Sequence, residues 1–301
     1  MSGKKRYGAA DIAMVVTTFF WGLNAVISKN AIGTDPDSFR VFVYNGLRIP
    51  AGTILLFMTL KLMKKPLGIR RQDLFYLAIL SFFGLFAFMM AFILGVSLTS
   101  SANTGVILAM TPLLIVAISL LTRIERLTGR VATGLAVGFC GMIVLTFQRE
   151  GLSFNAGDGL ILLSCFAWAV HTVYGKKLLN TYSPMVVTAW VYLFTSLYQL
   201  PFTLYQLPSQ QFAMVSTVNW MYLLISIIGS VYMANTLYFF AVNEIGPSRA
   251  GIYTNLTPVF TLLLAVMIRS ETISLNQIAG LFLIVIGIAL LNSFKMKSKK
   301  S

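Results

Sequence analysis

Trp21 and Asn24 stand three residues apart, which puts a large ring and a hydrogen-bonding amide on one helix face. Trp168 and His171 repeat that spacing further along the chain, with Tyr174 one step beyond. A face of this kind suits the wall of a pocket for a small solute. The ring supplies contact area and can attract a cation, while the polar group orients the ligand. The same residues can also pack and hydrogen-bond between helices, and both readings stand at this point. His171 is the only histidine, either a buried structural group or a contact for substrate or a proton. Tyr232, Asn235 and Tyr238 are spaced to line one face of another helix. An amide in hydrocarbon is costly unless paired, so Asn235 is expected to face protein or a wet cavity. Asn103 and Arg249 fall near the starts of two helices, the first able to cap its helix and the second able to mark a membrane edge. Tyr253 and Asn255 lie about a turn beyond Arg249.

The charges narrow the chemistry. Arg48 is the one clear charge deep in an apolar stretch. Intramembrane charges face a cavity or a partner, so Arg48 is a candidate substrate contact or a structural or gating element. The nine acidic residues all fall at span ends or in loops. A proton-coupled carrier commonly keeps a carboxylate at the midplane; without one here, facilitated diffusion or exchange is expected. There is no His-Glu-x-x-His and no Gly-x-Ser-x-Gly, and acid–base chemistry has one histidine to work with. No catalytic residue, metal site or cofactor is therefore expected. Cys140 and Cys165 lie in apolar stretches and form no disulfide or metal spacing.

Helices crossing a bilayer must position these side chains. The chain is 57% hydrophobic and 11% charged, against roughly 25% charged in soluble domains. At roughly 20 residues per crossing, 301 residues allow about ten spans with short loops. Apolar windows fall near 9–29, 39–61, 73–95, 101–122, 129–147, 157–176, 184–205, 218–240, 247–268 and 275–294. The Lys-rich N-terminus superficially resembles a signal peptide but leads into further spans, and reads as an uncleaved first helix. Eighteen Lys and Arg fall on the N-terminal side of the membrane and four on the other. That asymmetry places both termini in the cytoplasm and the chain in the cytoplasmic membrane. It also accounts for the +14 charge through topology and lipid contact, not nucleic-acid binding.

The chain repeats itself. At an offset of 147, Asp11 falls on Asp158, Trp21 on Trp168 and Lys29 on Lys176; at 146, Thr111-Pro112 falls on Thr257-Pro258, Glu125 on Glu271 and Gly134 on Gly280. Five spans per half is an odd number, so the halves, 1–150 and 151–301, enter the membrane from opposite sides. The fold class expected is an all-α integral membrane protein of ten transmembrane helices in two five-helix inverted-topology repeats. Many secondary transporters are built this way, and two such halves can exchange conformations to open alternately to either side. Pro112 and Pro258 interrupt equivalent helices, as static kinks or as gating bends. Gly134, Gly138 and Gly141 form a small-residue face for close helix packing, in a monomer or a homodimer.

These segments resemble a known family. Phe20-Trp21-Gly22-Leu23-Asn24, Arg48, Ser100-Ser101-Ala102-Asn103-Thr104-Gly105 running to Thr111-Pro112, and Glu125 to Gly134 are similar to the ten-helix, EamA-like type of the drug/metabolite transporter superfamily. The second half matches as Gly246-Pro247-Ser248-Arg249-Ala250-Gly251 to Thr257-Pro258, then Glu271 and Gly280. The resemblance implies a carrier of small metabolites, amino acids or drugs, often an exporter, with a cavity lined mainly by spans 1, 3, 4, 6, 8 and 9. It tempers Arg48, since an Arg in span 2 recurs in the family as a structural or gating element. The partners expected are a small-molecule substrate and the lipid bilayer. A channel, and more remotely a membrane-embedded enzyme, are the competing readings. The aromatic and amide residues favour a neutral, zwitterionic or aromatic solute over a divalent cation.

Overall fold

The computed structural model describes residues 3–99, 104, 107–125, 128–146, 155–269 and 275–292. Hydrocarbon offers backbone groups no water, so an apolar chain must satisfy them within each crossing segment, and helices do so. The described helices are α1 (Gly3–Ala31), α2 (Val41–Leu62), α3 (Arg71–Leu98), α4 (Thr111–Leu121), α5 (Gly129–Thr146), α6 (Ala156–Leu178), α7 (Pro184–Gln206), α8 (Thr217–Ile245), α9 (Pro247–Tyr253 and Leu256–Arg269) and α10 (Leu275–Asn292). Among the described residues, seven segments are long and apolar enough to cross a membrane; the apolar stretches of α4, α5 and α10 are shorter. Large apolar side chains point outward along them, including Leu62, Phe75, Leu121, Met267 and Phe282. An outer surface of that kind belongs against lipid.

Helix starts are written locally. Asn155 and Asp158 form a reciprocal capping box at the start of α6, and the Ser216 hydroxyl accepts the Asn219 N–H at the start of α8. Packing then pairs the halves. α2 lies along α7, and α5 along α10. α1 packs on α8 and α9, while α6 packs on α3 and α4. Each pairing has its counterpart when the two runs of five helices are exchanged. The Gly134, Gly138 and Gly141 face of α5 is taken up by α10 of the same chain, at Gly280, Leu283, Ile284 and Gly287, so it is used within the monomer.

Two features differ from the expectation of plain helices. First, Pro112 and Pro258 do not kink continuous helices. The chain turns at Ala109-Met110 and again at Thr254-Asn255, and each proline then sits in the first turn of the helix that resumes. There its missing N–H costs nothing and its φ suits the helix, so the equivalent elements are broken, not bent. Second, α3 and α8 each contain a π-helical stretch, Ser81–Phe86 and Ser226–Ala234. Both stretches carry a glycine that lets the helix approach its neighbour. A side chain at Gly84 would meet the His171 Cβ at 2.8 Å, and one at Gly229 would collide with the Phe20 ring.

Candidate functional site

Four of the expected side chains meet where the halves face each other. The Trp21 ring from α1 lies 5.3 Å from Trp168 on α6 and 5.2 Å from Tyr238 on α8, and Trp168 lies 5.4 Å from Tyr238. His171 stacks beside Trp168 at 5.4 Å and against Phe239 at 5.1 Å. Phe88, which the sequence offered as one more apolar residue, closes the cluster at 5.1 Å from Trp168. These are direct ring contacts. Trp168, His171 and Tyr238 are buried, so the cluster is filled by its own rings. The Tyr238 hydroxyl pairs with the Thr172 hydroxyl at 2.7 Å. α1 and α6 are not among the closely packed helix pairs; their side chains span the space between them.

Asn24 belongs to a polar cage one turn along α1 from Trp21. Its Oδ1 accepts from the Arg48 Nη1 at 3.1 Å, from the Ser28 hydroxyl at 3.3 Å, and from Ser226 of α8. The Arg48 Nη1 also donates to the Ser226 Oγ at 3.2 Å, and its Nη2 donates to the Asn45 Oδ1 at 2.8 Å. The guanidinium lies over the Tyr44 ring at 5.6 Å. Among the described residues, the groups that hold this cation are neutral. Asn45 and Ser226 gave no sequence signal, because their roles appear only once α2 and the π-helical stretch of α8 are brought to α1.

The remaining candidates disperse. Tyr232 leaves the line expected for it with Asn235 and Tyr238, and its hydroxyl pairs with Thr59 of α2 at 3.1 Å. At 3.6 residues per turn, six residues fall about 120° short of two full turns, and the π-helical stretch alters the phase again. Asn235 is buried, and its Nδ2 donates to the Ser230 carbonyl at 2.6 Å, inside that stretch. Tyr253 is buried in the main apolar core. The Asn255 amide nitrogen faces Gly138 of α5. Asn103 and Glu271 lie outside the described residues.

A second set of contacts joins the halves near the N-terminal end of α1. Asp11 and Arg249 of α9 form an ion pair at 3.0 Å. The Glu125 carboxylate accepts the Ser248 N–H at 2.9 Å, against the start of α9. Gly246 makes room for it: its φ is +83°, and a Cβ there would occupy the position of the Glu125 carboxylate oxygen. Within the second half, the Lys176 ammonium of α6 donates to the Asn243 carbonyl of α8 and to its side chain at 2.7 and 2.9 Å. Among the described residues, no group of three or more His, Cys, Asp or Glu is placed to hold a metal ion.

The EamA-like transporter family model matches residues 8–147 and again 155–293. Among curated proteins, the uncharacterized transporter YetK of Bacillus subtilis is 25% identical, over 95% of this chain and 87% of its own length. YoaV of the same organism is 24% identical, over 96% and 98%. The uncharacterized inner membrane transporter YicL of Salmonella typhimurium is 23% identical, over 96% of both. A protein crystal structure superposes with a TM-score of 0.78 at 20% identity, over 94% of this chain and 96% of that one, a likeness of fold. With matches in both halves and along nearly its whole length, the chain belongs to the EamA-like transporter family, within the drug/metabolite transporter superfamily.

Proposed function

We propose that this membrane transporter is a secondary carrier working by alternating access. In this reading ten helices cross the cytoplasmic membrane as two inverted repeats, 1–150 and 151–301, with both termini in the cytoplasm. A small organic solute binds between the repeats and is exported or exchanged. One observation carries the reading: the aromatic cluster is assembled from both halves, Trp21 from the first and Trp168 and Tyr238 from the second. A site shared in this way is made and unmade by motion of one half against the other. The paired breaks before α4 and within α9 and the paired π-helical stretches of α3 and α8 supply equivalent deformable points in each repeat.

The ion pair of Asp11 with Arg249 and the Glu125 cap on α9 support a closed cytoplasmic side. The rings in mutual contact leave no space for solute among themselves, so loading requires them to part. Counter-flow in proteoliposomes tests the mechanism. A carrier accelerates uptake of labelled solute when the lumen holds unlabelled solute, and a channel does not. Saturation without trans-acceleration, for every solute that the protein moves, rejects alternating access.

A further inference from the structure

Arg48 carries a full charge inside a membrane-crossing helix, and a guanidinium does not shed its proton. Among the described residues no carboxylate pairs with it; Asn24, Asn45 and Ser226 hold it through neutral oxygens. Such an arrangement positions the cation without neutralising it. The planar group carries five N–H donors. Nη1 places both of its hydrogens, on Asn24 and Ser226, and Nη2 places one, on Asn45. Two donors remain, on Nη2 and on Nε, and the Nε is enclosed without a partner. Both nitrogens belong to the edge of a guanidinium that pairs side-on with a carboxylate.

The second half does not repeat this cation. The residue equivalent to Arg48 in the second half is Thr195, at the offset of 147. Thr195 is fully buried and its hydroxyl turns back to the Val191 carbonyl at 2.8 Å. In the pairing of α2 with α7, one equivalent position thus holds an arginine and the other a threonine satisfied within its own helix. The position of Arg48 is equally specific. Asn24, which holds Arg48, and Trp21, which meets Trp168 and Tyr238, lie three residues apart on α1. The axial separation is then about 4.5 Å. The cation and the ring cluster are therefore neighbouring parts of one site.

We propose that Arg48 binds the carboxylate of the transported solute, whose apolar or aromatic body takes its place among Trp21, Trp168 and Tyr238. The substrate class is thus a small monocarboxylate or amino acid with an apolar side, and an uncharged analogue is discriminated against. This rests on the carrier reading and deepens it by naming the chemistry that the site selects.

The test compares acids with their amides on the purified full-length protein in a neutral detergent at constant ionic strength. The probes are phenylalanine and 3-phenylpropanoate, phenylalaninamide and 3-phenylpropanamide, and sodium chloride alone. The two acids should raise the unfolding midpoint in a saturable way, while the amides and chloride leave it unchanged. Arg48→Gln, which keeps hydrogen-bonding groups near Asn24 and Ser226, should weaken acid binding at least tenfold. Arg48→Lys, which keeps the charge but not the side-on edge, should fall between. Equal stabilisation by acid and amide overturns the proposal, as does stabilisation by chloride as strong as by the acids. So does an acid shift that survives in Arg48→Gln, or no shift with either acid. If Arg48→Gln does not fold, the acid–amide comparison on the wild-type protein decides alone. Counter-flow separates the two readings. Trans-accelerated movement of the neutral amide by wild-type protein keeps the carrier and rejects the carboxylate site, whereas loss of trans-acceleration for all probes rejects the carrier.

Discussion

At the residue scale, the Trp–x–x–polar spacing marked two rings that meet in the structure, because it occurs twice in register. Trp21 and Trp168 are equivalent in the repeat, and their rings meet 5.3 Å apart. Tyr238 joins them through its ring and is anchored by its hydroxyl to Thr172. Tyr238→Phe should therefore keep the ring contacts and remove one buried hydrogen bond, at about 0.5–1.5 kcal/mol. A double-mutant cycle with Thr172→Val checks the assignment: the two losses should be less than additive, and full additivity would show that the hydroxyls do not act together. Trp168→Ala should cost about 3–5 kcal/mol and reduce solute binding, read by thermal unfolding with and without solute. Of the cage of Arg48, only the arginine and Asn24 stood out in the sequence. Ser226 comes from 178 positions away in the chain, and a serine in an apolar run has no feature that announces such a partner.

At the element scale, the helix boundaries followed from apolar windows and turn residues. The π-helical stretches did not, because an i to i+5 pattern has no residue preference comparable to a proline or a cap. They nevertheless decide which faces meet. Gly229 brings α8 onto the Phe20 ring, and Gly84 brings α3 onto His171. Ala at either position should lower the melting temperature and slow transport, since the added methyl group meets a packed neighbour. Gly159 of α6 has open space where a Cβ would stand. Gly159→Ala should thus be neutral or stabilising, by up to about 1 kcal/mol from helix propensity. If Gly229→Ala and Gly159→Ala behave alike in thermal unfolding, close approach at the π-helical stretch is not what the glycine provides. Pro112 and Pro258 make the same point about order in the chain. Proline signals an interruption, but only the structure shows that the break precedes it and that proline begins the next segment.

At the scale of the molecule, the duplication was readable from a few aligned residues, and the packing follows it: α1 on α8 and α9, α6 on α3 and α4. The contacts of Asp11 with Arg249 and of Glu125 with Ser248 cross from one half to the other, which no single-half pattern could reveal. Asp11→Asn or Arg249→Gln should loosen that end. With Cys140 and Cys165 replaced by serine, a cysteine at the buried Thr17 of α1 should then react faster with a membrane-impermeant thiol reagent in inside-out vesicles. Exchanging the charges, Asp11→Arg with Arg249→Asp, should slow the reaction again. Unchanged labelling in the single variants would remove the ion pair from the closure mechanism.

The neutral surroundings of Arg48 carry an electrical consequence. A positive charge with no carboxylate paired to it among the described residues is a charge that the membrane field can act on, at about 2.3 kcal/mol for each 100 mV that it traverses. An empty carrier whose Arg48 shifts relative to the field would change its orientation at a rate set by the membrane potential. With a monocarboxylate on the guanidinium edge the pair is neutral and the loaded step becomes indifferent to voltage, whereas a zwitterionic amino acid brings its own ammonium and leaves the loaded carrier as charged as the empty one. Exchange of a monocarboxylate, which uses only loaded steps, should then proceed equally at any potential, while its net export, which requires the empty return, should respond to it.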